Sequence, residues 1–178
     1  MIRKHEDFAA SFAPVASLDA KVLILGSIPG RESLKAGRYY AHPRNQFWPI
    51  MASLFGFAAD APYEERLLAL QGSGVALWDV MHSCHRAGSL DASIEADTVE
   101  PNDFAAFFVA HPYIRTVFYN GATAYAAYHR HVLPTLQALP LPVSLRHTRL
   151  PSTSPAHASL SLAQKRVAWQ VVAQEASA

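Results

Sequence analysis

Four short runs, KVLILGS (21–27), VALWDV (75–80), TVFYN (116–120) and VSLRHT (143–148), constrain this chain more than any other feature. Each reads as a buried strand bounded by turn residues. Helical patterns lie between them. APYEERLLALQGSG carries Pro62 at a helix start, Glu64 and Glu65 in the first turn, and Gly72 as a stop. NDFAAFFVAHP offers Asn102 as its N-cap, and GATAYAAYHRHVL follows the third run. SLSLAQKRVAWQVVAQ closes the chain, with Ser161 and Gln164 spaced as a capping box. Strands alternating with helices predict an α/β fold, a parallel sheet covered on both faces. Ligands of such sheets bind at the carboxyl ends of the strands. Ser27 to Gly30, Asp79, Asn120 with Gly121, and the LPSTSPAH loop all fall there.

Length and composition narrow the function. A chain of 178 residues, 51% hydrophobic, suits one domain spanning residues 1–178. No apolar run reaches the roughly 18 residues of a membrane helix, and the opening MIRKHEDFAASF lacks a signal-peptide core. Cys84 is the single cysteine, which excludes an internal disulfide and fits a reducing cytoplasm. A net charge of +1 is far from that of a bulk nucleic-acid binder. Any DNA contact must use local charge: Lys35, Arg38 and Arg44, or Arg146, His147 and Arg149.

The motifs admit both structural and chemical readings. GSIPG (26–30) can cradle an anion on its backbone N–H groups or form a plain tight turn; it is neither GxGxxG nor a P-loop. Asn45 stands before QFWPIMASLF, where it caps a helix or holds a water through its side-chain carbonyl. Asp79 ends an apolar strand, either capping a turn or accepting a ligand N–H. The histidines form no metal pattern, and Ser152, Thr153 and Ser154 lack a serine-hydrolase context.

Taken together, these segments resemble the uracil-DNA glycosylase superfamily, and most closely its hypoxanthine-DNA (deoxyinosine) glycosylase branch. LILGSIPG resembles motif one. YYAHPRNQFW resembles the FAHPxNxFW segment of mismatch-specific uracil glycosylases. GVALWD matches the second strand, and LPSTSPAH resembles the motif-two loop that enters the minor groove. The resemblance spans about residues 12 to 172. It implies one three-layer αβα domain whose central parallel four-stranded sheet runs second-first-third-fourth. Two departures stand out. Ile28 occupies the place where motif one usually holds a water-positioning Asp or Asn, and Leu150 replaces the motif-two histidine.

The resemblance implies an enzyme that flips a deaminated base out of DNA, hypoxanthine first, and hydrolyses its N-glycosidic bond without metal or cofactor. Asn45 is then the catalytic, water-holding residue. Ser27, Ile28, Pro29, Gly30, Tyr40 and Asp79 are expected to bind the base, with Tyr40 stacking on it and Asp79 accepting N1–H. Asn120, Gly121, Ser152, Thr153, Ser154 and His157 are expected at the DNA backbone. The expected partner is single- or double-stranded DNA, met by a monomer in the cytoplasm. Two alternatives stay open: a uracil or mismatch-specific glycosylase, and a non-catalytic DNA-binding relative.

Overall fold

The structure, a computed structural model, describes residues 7–139 and 144–178. Strands in chain order are β1 (Phe8–Ala10), β2 (Val22–Gly26), β3 (Val75–Asp79), β4 (Met81–His85), β5 (Glu100–Pro101), β6 (Thr116–Asn120) and β7 (Arg146–Leu150). Helices are α1 (Arg31–Ala36), α2 (Phe47–Phe55), α3 (Tyr63–Gly72), α4 (Phe104–Ala110), α5 (Ala122–Ala127), α6 (Leu133–Gln137) and α7 (Leu162–Ser177). A π-helical turn over Tyr128–Val132 joins α5 to α6.

The central sheet is parallel and ordered β3-β2-β6-β7, the order the resemblance implies. Strands β2, β3 and β6 are buried on both faces because alternate residues serve different layers. Leu23, Leu25, Ala76, Trp78, Val117 and Tyr119 pack with Phe104, Phe107 and Tyr128. Val22, Ile24, Val75, Leu77 and Phe118 pack with Phe47, Ile50, Leu70 and Trp169 from α2, α3 and α7. Each fully buried aliphatic or aromatic side chain in these layers contributes about 1.5–3 kcal/mol relative to exposure.

Two expectations need correction, and one small sheet was not foreseen. The fourth strand is Arg146–Leu150 rather than 143–148, and position 143 lies outside the described residues. RHTRL is exposed at Arg146 and Arg149, half-buried at His147 and Thr148 and buried only at Leu150, so it carries little apolar signal. Asp103, not Asn102, caps α4: its carboxylate accepts the Ala106 N–H at 3.0 Å. Asn102 instead donates to the Asp79 carbonyl at 2.9 Å, closing the turn after β3. Finally, β1, β4 and β5 form a small antiparallel sheet that strand periodicity did not predict. MHSCH in β4 is too polar to read as a buried strand, and β1 and β5 are three and two residues long. The Ser161–Gln164 capping box at the start of α7 is present as expected.

Candidate active site

Because the four central strands are parallel, Gly26, Asp79, Asn120 and Leu150 all lie at one end of the sheet. The loops that follow them enclose a cavity of about 560 Å³, within the range of small-ligand sites. Ser27–Gly30, Tyr40, Asn45, Asp79, Asn120, Ser152–Ser154 and His157 all line it.

The motif-one turn approaches Asp79 too closely for a side chain. Gly26 pairs with Asp79 across β2 and β3, and a Cβ there would sit 2.4 Å from Asp79 Oδ1 and 3.1 Å from the Tyr40 hydroxyl. Glycine is therefore required at position 26 by the site itself. Ile28 contributes to the cavity wall, but it is only 6% exposed and packs in the core. An aliphatic side chain so placed cannot orient a water.

Tyr40 holds a left-handed backbone, φ 53°, rare for a bulky residue. Its neighbours enforce this. Ser33 Oγ accepts the Ala41 N–H at 3.1 Å, and the Tyr63 hydroxyl accepts the Tyr39 N–H at 2.9 Å. The outcome is a Tyr40 ring stacked on Phe47, centroids 4.0 Å apart. The Tyr40 hydroxyl is buried without a hydrogen-bond partner. Burial, with the Asp79 charge second, raises its pKa.

Asn45 closes the first turn of α2 and also lines the cavity. Its Oδ1 accepts the Phe47 N–H at 2.9 Å, closing the first turn of α2, while Gln46 at the N-cap position makes no side-chain cap. One bond leaves the carbonyl a second lone pair, and the residue lines the cavity. The next backbone N–H, that of Gln46, donates to the Thr153 carbonyl at 3.0 Å. The Asn45 segment and the motif-two loop are thereby stitched together.

Two of the expected DNA contacts, Asn120 and Thr153, bond to each other. Thr153 is fully buried: its hydroxyl accepts from Asn120 Nδ2 at 2.8 Å, and its N–H donates to Asn120 Oδ1 at 2.9 Å. The pair braces the loop, with the Thr153 side chain fully buried. Ser152 and Ser154 remain part-exposed, their hydroxyls accepting the backbone N–H groups of Ser154 and Ala156. From behind, Lys165 Nζ donates to the His157 carbonyl at 2.7 Å, and Trp169 Nε1 to the Pro151 carbonyl at 2.9 Å.

Asp79 is 4% exposed, and its Oδ2 has no hydrogen-bond partner. Burial pushes its pKa up to about 7; the Asp91 charge adds to this, and Arg86 opposes it. Near neutral pH the carboxyl is therefore divided between a form that accepts and a form that donates.

Sequence reasoning missed Asp91 and Arg86. Asp91 lies on a short 3-10 turn between β4 and β5 and lines the cavity. Both its oxygens accept from Ser27 Oγ, each at 3.0 Å. Arg86 is 2% exposed and donates Nη2 to the Pro29 carbonyl at 2.7 Å, fixing the motif-one turn. Both come from RAGSLDAS (86–93), a polar stretch without periodicity or motif. Only long-range packing brings it to Ser27. Among the described residues, no group of three His, Cys, Asp or Glu is placed to hold a metal ion.

Residues 13–173 match the profile of the Uracil DNA glycosylase superfamily. A protein of Methanosarcina barkeri named hypoxanthine DNA glycosylase is 35% identical over 111 residues, covering 62% of this chain and 69% of its own length. A protein of the same name from Methanosarcina acetivorans is 34% identical over 114 residues, 64% and 71% of the two chains. The solution NMR structure of a candidate uracil DNA glycosylase from Methanosarcina acetivorans superposes with a TM-score of 0.77. It shows 29% identity and covers 96% of this chain and 99% of its own.

Proposed function

The chain belongs to the uracil-DNA glycosylase superfamily, and on that premise we propose that it excises hypoxanthine from deoxyinosine in DNA, leaving an abasic site. The whole chain, residues 1–178, acts in this reading as one glycosylase unit, a cytoplasmic monomer on DNA. The observation that carries it is the meeting of Asn45, Tyr40 and Asp79 on the wall of one cavity although motif one holds Ile28. The names of the two Methanosarcina relatives support the same substrate.

In the proposed reaction the deoxyinosine is flipped into the cavity at a cost of a few kcal/mol. Tyr40, already held flat by Phe47, stacks on the base. Ionised Asp79 accepts N1–H of hypoxanthine. Adenine presents an acceptor at N1, which a carboxylate repels; protonated Asp79 would instead donate to it. Rejection of adenine thus depends on the ionised form and strengthens as pH rises through about 7. Asn45 holds the attacking water with its free lone pair. Ser152, Ser154, Gly121 and His157 meet the DNA backbone, where small polar groups and backbone N–H groups fix register at low net charge.

The test is incubation with duplexes carrying hypoxanthine, uracil or xanthine, followed by alkali to cut at abasic sites. Scission at hypoxanthine well above the other bases is expected. Preferential scission at uracil would make this a uracil-type enzyme. Binding without scission at any base would make it a non-catalytic relative, the reading that Ile28 and Leu150 favour.

A further inference from the structure

Motif one lacks a polar side chain at position 28, yet a carboxylate stands beside it in space. Ser27, the residue before Ile28, donates its hydroxyl to both oxygens of Asp91 at 3.0 Å. Asp91 is 64 residues distant in sequence and arrives on the loop between β4 and β5. It faces the cavity that Asn45 and Asp79 also line. We propose that Asp91 supplies the acceptor that motif one lacks, receiving a proton from the attacking water while Asn45 holds that water in line.

Three observations carry this beyond a loop anchor. First, a partly buried carboxylate is a costly anchor, because a neutral acceptor would hold the Ser27 hydroxyl without the desolvation penalty. Burial does raise the Asp91 pKa, and hydrogen bonding from Ser27 and Thr123, with the charge of Arg86, opposes the rise. Second, among the described residues Arg86 makes no direct ion pair with Asp91; its Nη2 is spent on the Pro29 carbonyl. The charge of Asp91 is thus moderated but not consumed. Third, Asp79, 4% exposed, brings an unpartnered oxygen to the same cavity wall. The two carboxyls therefore share one cavity wall and interact through space, each charge raising the cost of the other.

The step balances. The bond from C1′ to N9 breaks with its electron pair going to the base. The water oxygen bonds to C1′, and one water proton passes to Asp91. The departing base takes one proton from solvent at a ring nitrogen, and Asp91 returns its own to solvent. The net change is addition of one water across the glycosidic bond. The groups facing Asp91 are Ser27 after β2, Asp79 at the end of β3, Arg86 after β4 and Thr123 at the start of α5.

The proposal rests on the glycosylase reading above, and the experiment separates the two. Single-turnover excision is measured with saturating enzyme for the parent, Asp91→Asn and Asp91→Ala, alongside the thermal midpoint and affinity for an abasic-site duplex. Asp91→Asn keeps an acceptor for Ser27 but removes the base. It should slow excision by about a hundredfold or more, the usual scale of general acid–base catalysis, with midpoint and affinity close to the parent's. Added formate, at constant ionic strength, should restore part of the rate of Asp91→Ala, which a purely structural loss would not allow. An Asp91→Asn rate within about threefold of the parent, well short of that scale, would overturn the proposal and return Asp91 to loop anchoring. That variant decides the matter if Asp91→Ala fails to fold. A parent that excises uracil but not hypoxanthine overturns only the substrate assignment, with Asp91 then judged on uracil. A parent inactive on every base overturns both readings.

Discussion

Asn45 accepts the Phe47 N–H through its side-chain oxygen at 2.9 Å, so the residue proposed to hold water also closes the first turn of α2. The two duties separate by magnitude. Asn45→Ala should cost about 1 kcal/mol of stability through the lost cap. It should also slow single-turnover excision by roughly a hundredfold or more through the lost positioning contact. Asn45→Asp keeps the acceptor and puts a charge where the helix dipole welcomes it. It should hold its thermal midpoint at or above the parent's and stay more active than Asn45→Ala. An Asn45→Ala rate within a few-fold of the parent would leave Asn45 a cap alone.

Asp79 should make stability depend on pH in an unusual direction. Its folded pKa is raised from 3.8 to about 7. Between those values the folded protein keeps a proton that the unfolded chain has released. Stability linked to this group is therefore full below about pH 4, falls as pH rises, and is lost above about 7. Asp79→Asn should raise urea-unfolding stability at pH 8, by up to a few kcal/mol, and change it little at pH 4. Rejection of adenine should weaken in the same variant. Equal effects at both pH values would refute the linkage.

Gly121 has φ +98°, and a Cβ there would meet Ser152 Cβ at 3.0 Å. Gly121→Ala should lower stability by about 1–3 kcal/mol through backbone strain and push Ser152 from its place. Affinity for an abasic-site duplex should fall together with the thermal midpoint. An unchanged affinity would remove Gly121 and Ser152 from the DNA-facing set.

Lys165 is 1% exposed, and burial lowers its pKa. Its ammonium reaches the His157 carbonyl at 2.7 Å. Lys165→Met keeps much of the volume and removes a desolvated charge, so stability should change little or rise. The motif-two loop loses its tether, and DNA affinity should weaken several-fold, an effect on the order of 1 kcal/mol for one hydrogen bond to a charged group. A variant that binds as tightly as the parent would show that Trp169 alone, through the Pro151 carbonyl, suffices to hold the loop.

Much of the architecture was legible in the chain. VLILG, VALWD and TVFYN announce buried parallel strands because both faces demand apolar residues. The Ser161–Gln164 box and Pro62 mark helix starts through local hydrogen bonding and backbone preference. Parallel strands bring their carboxyl ends to one rim, so Ser27, Asp79, Asn120 and the 151–157 loop could be gathered by sequence reasoning. The segment YYAHPRNQFW named Asn45 and Tyr40 as residues worth testing.

Tertiary structure decided what those residues experience. The edge strand β7 and the small sheet of β1, β4 and β5 depend on partners remote in sequence, which no local period encodes. Thr153 and Asn120 meet across 33 positions and bond to each other, although each alone reads as a polar surface residue. Asp79 acquires its raised pKa from burial and from Asp91, and Asp91 reaches Ser27 across 64 positions. Local sequence determines hydrogen-bonding and packing patterns that act over one turn or one strand. Desolvation and Coulomb interaction act through space, so the chemistry of the cavity was determined only when the chain closed around it.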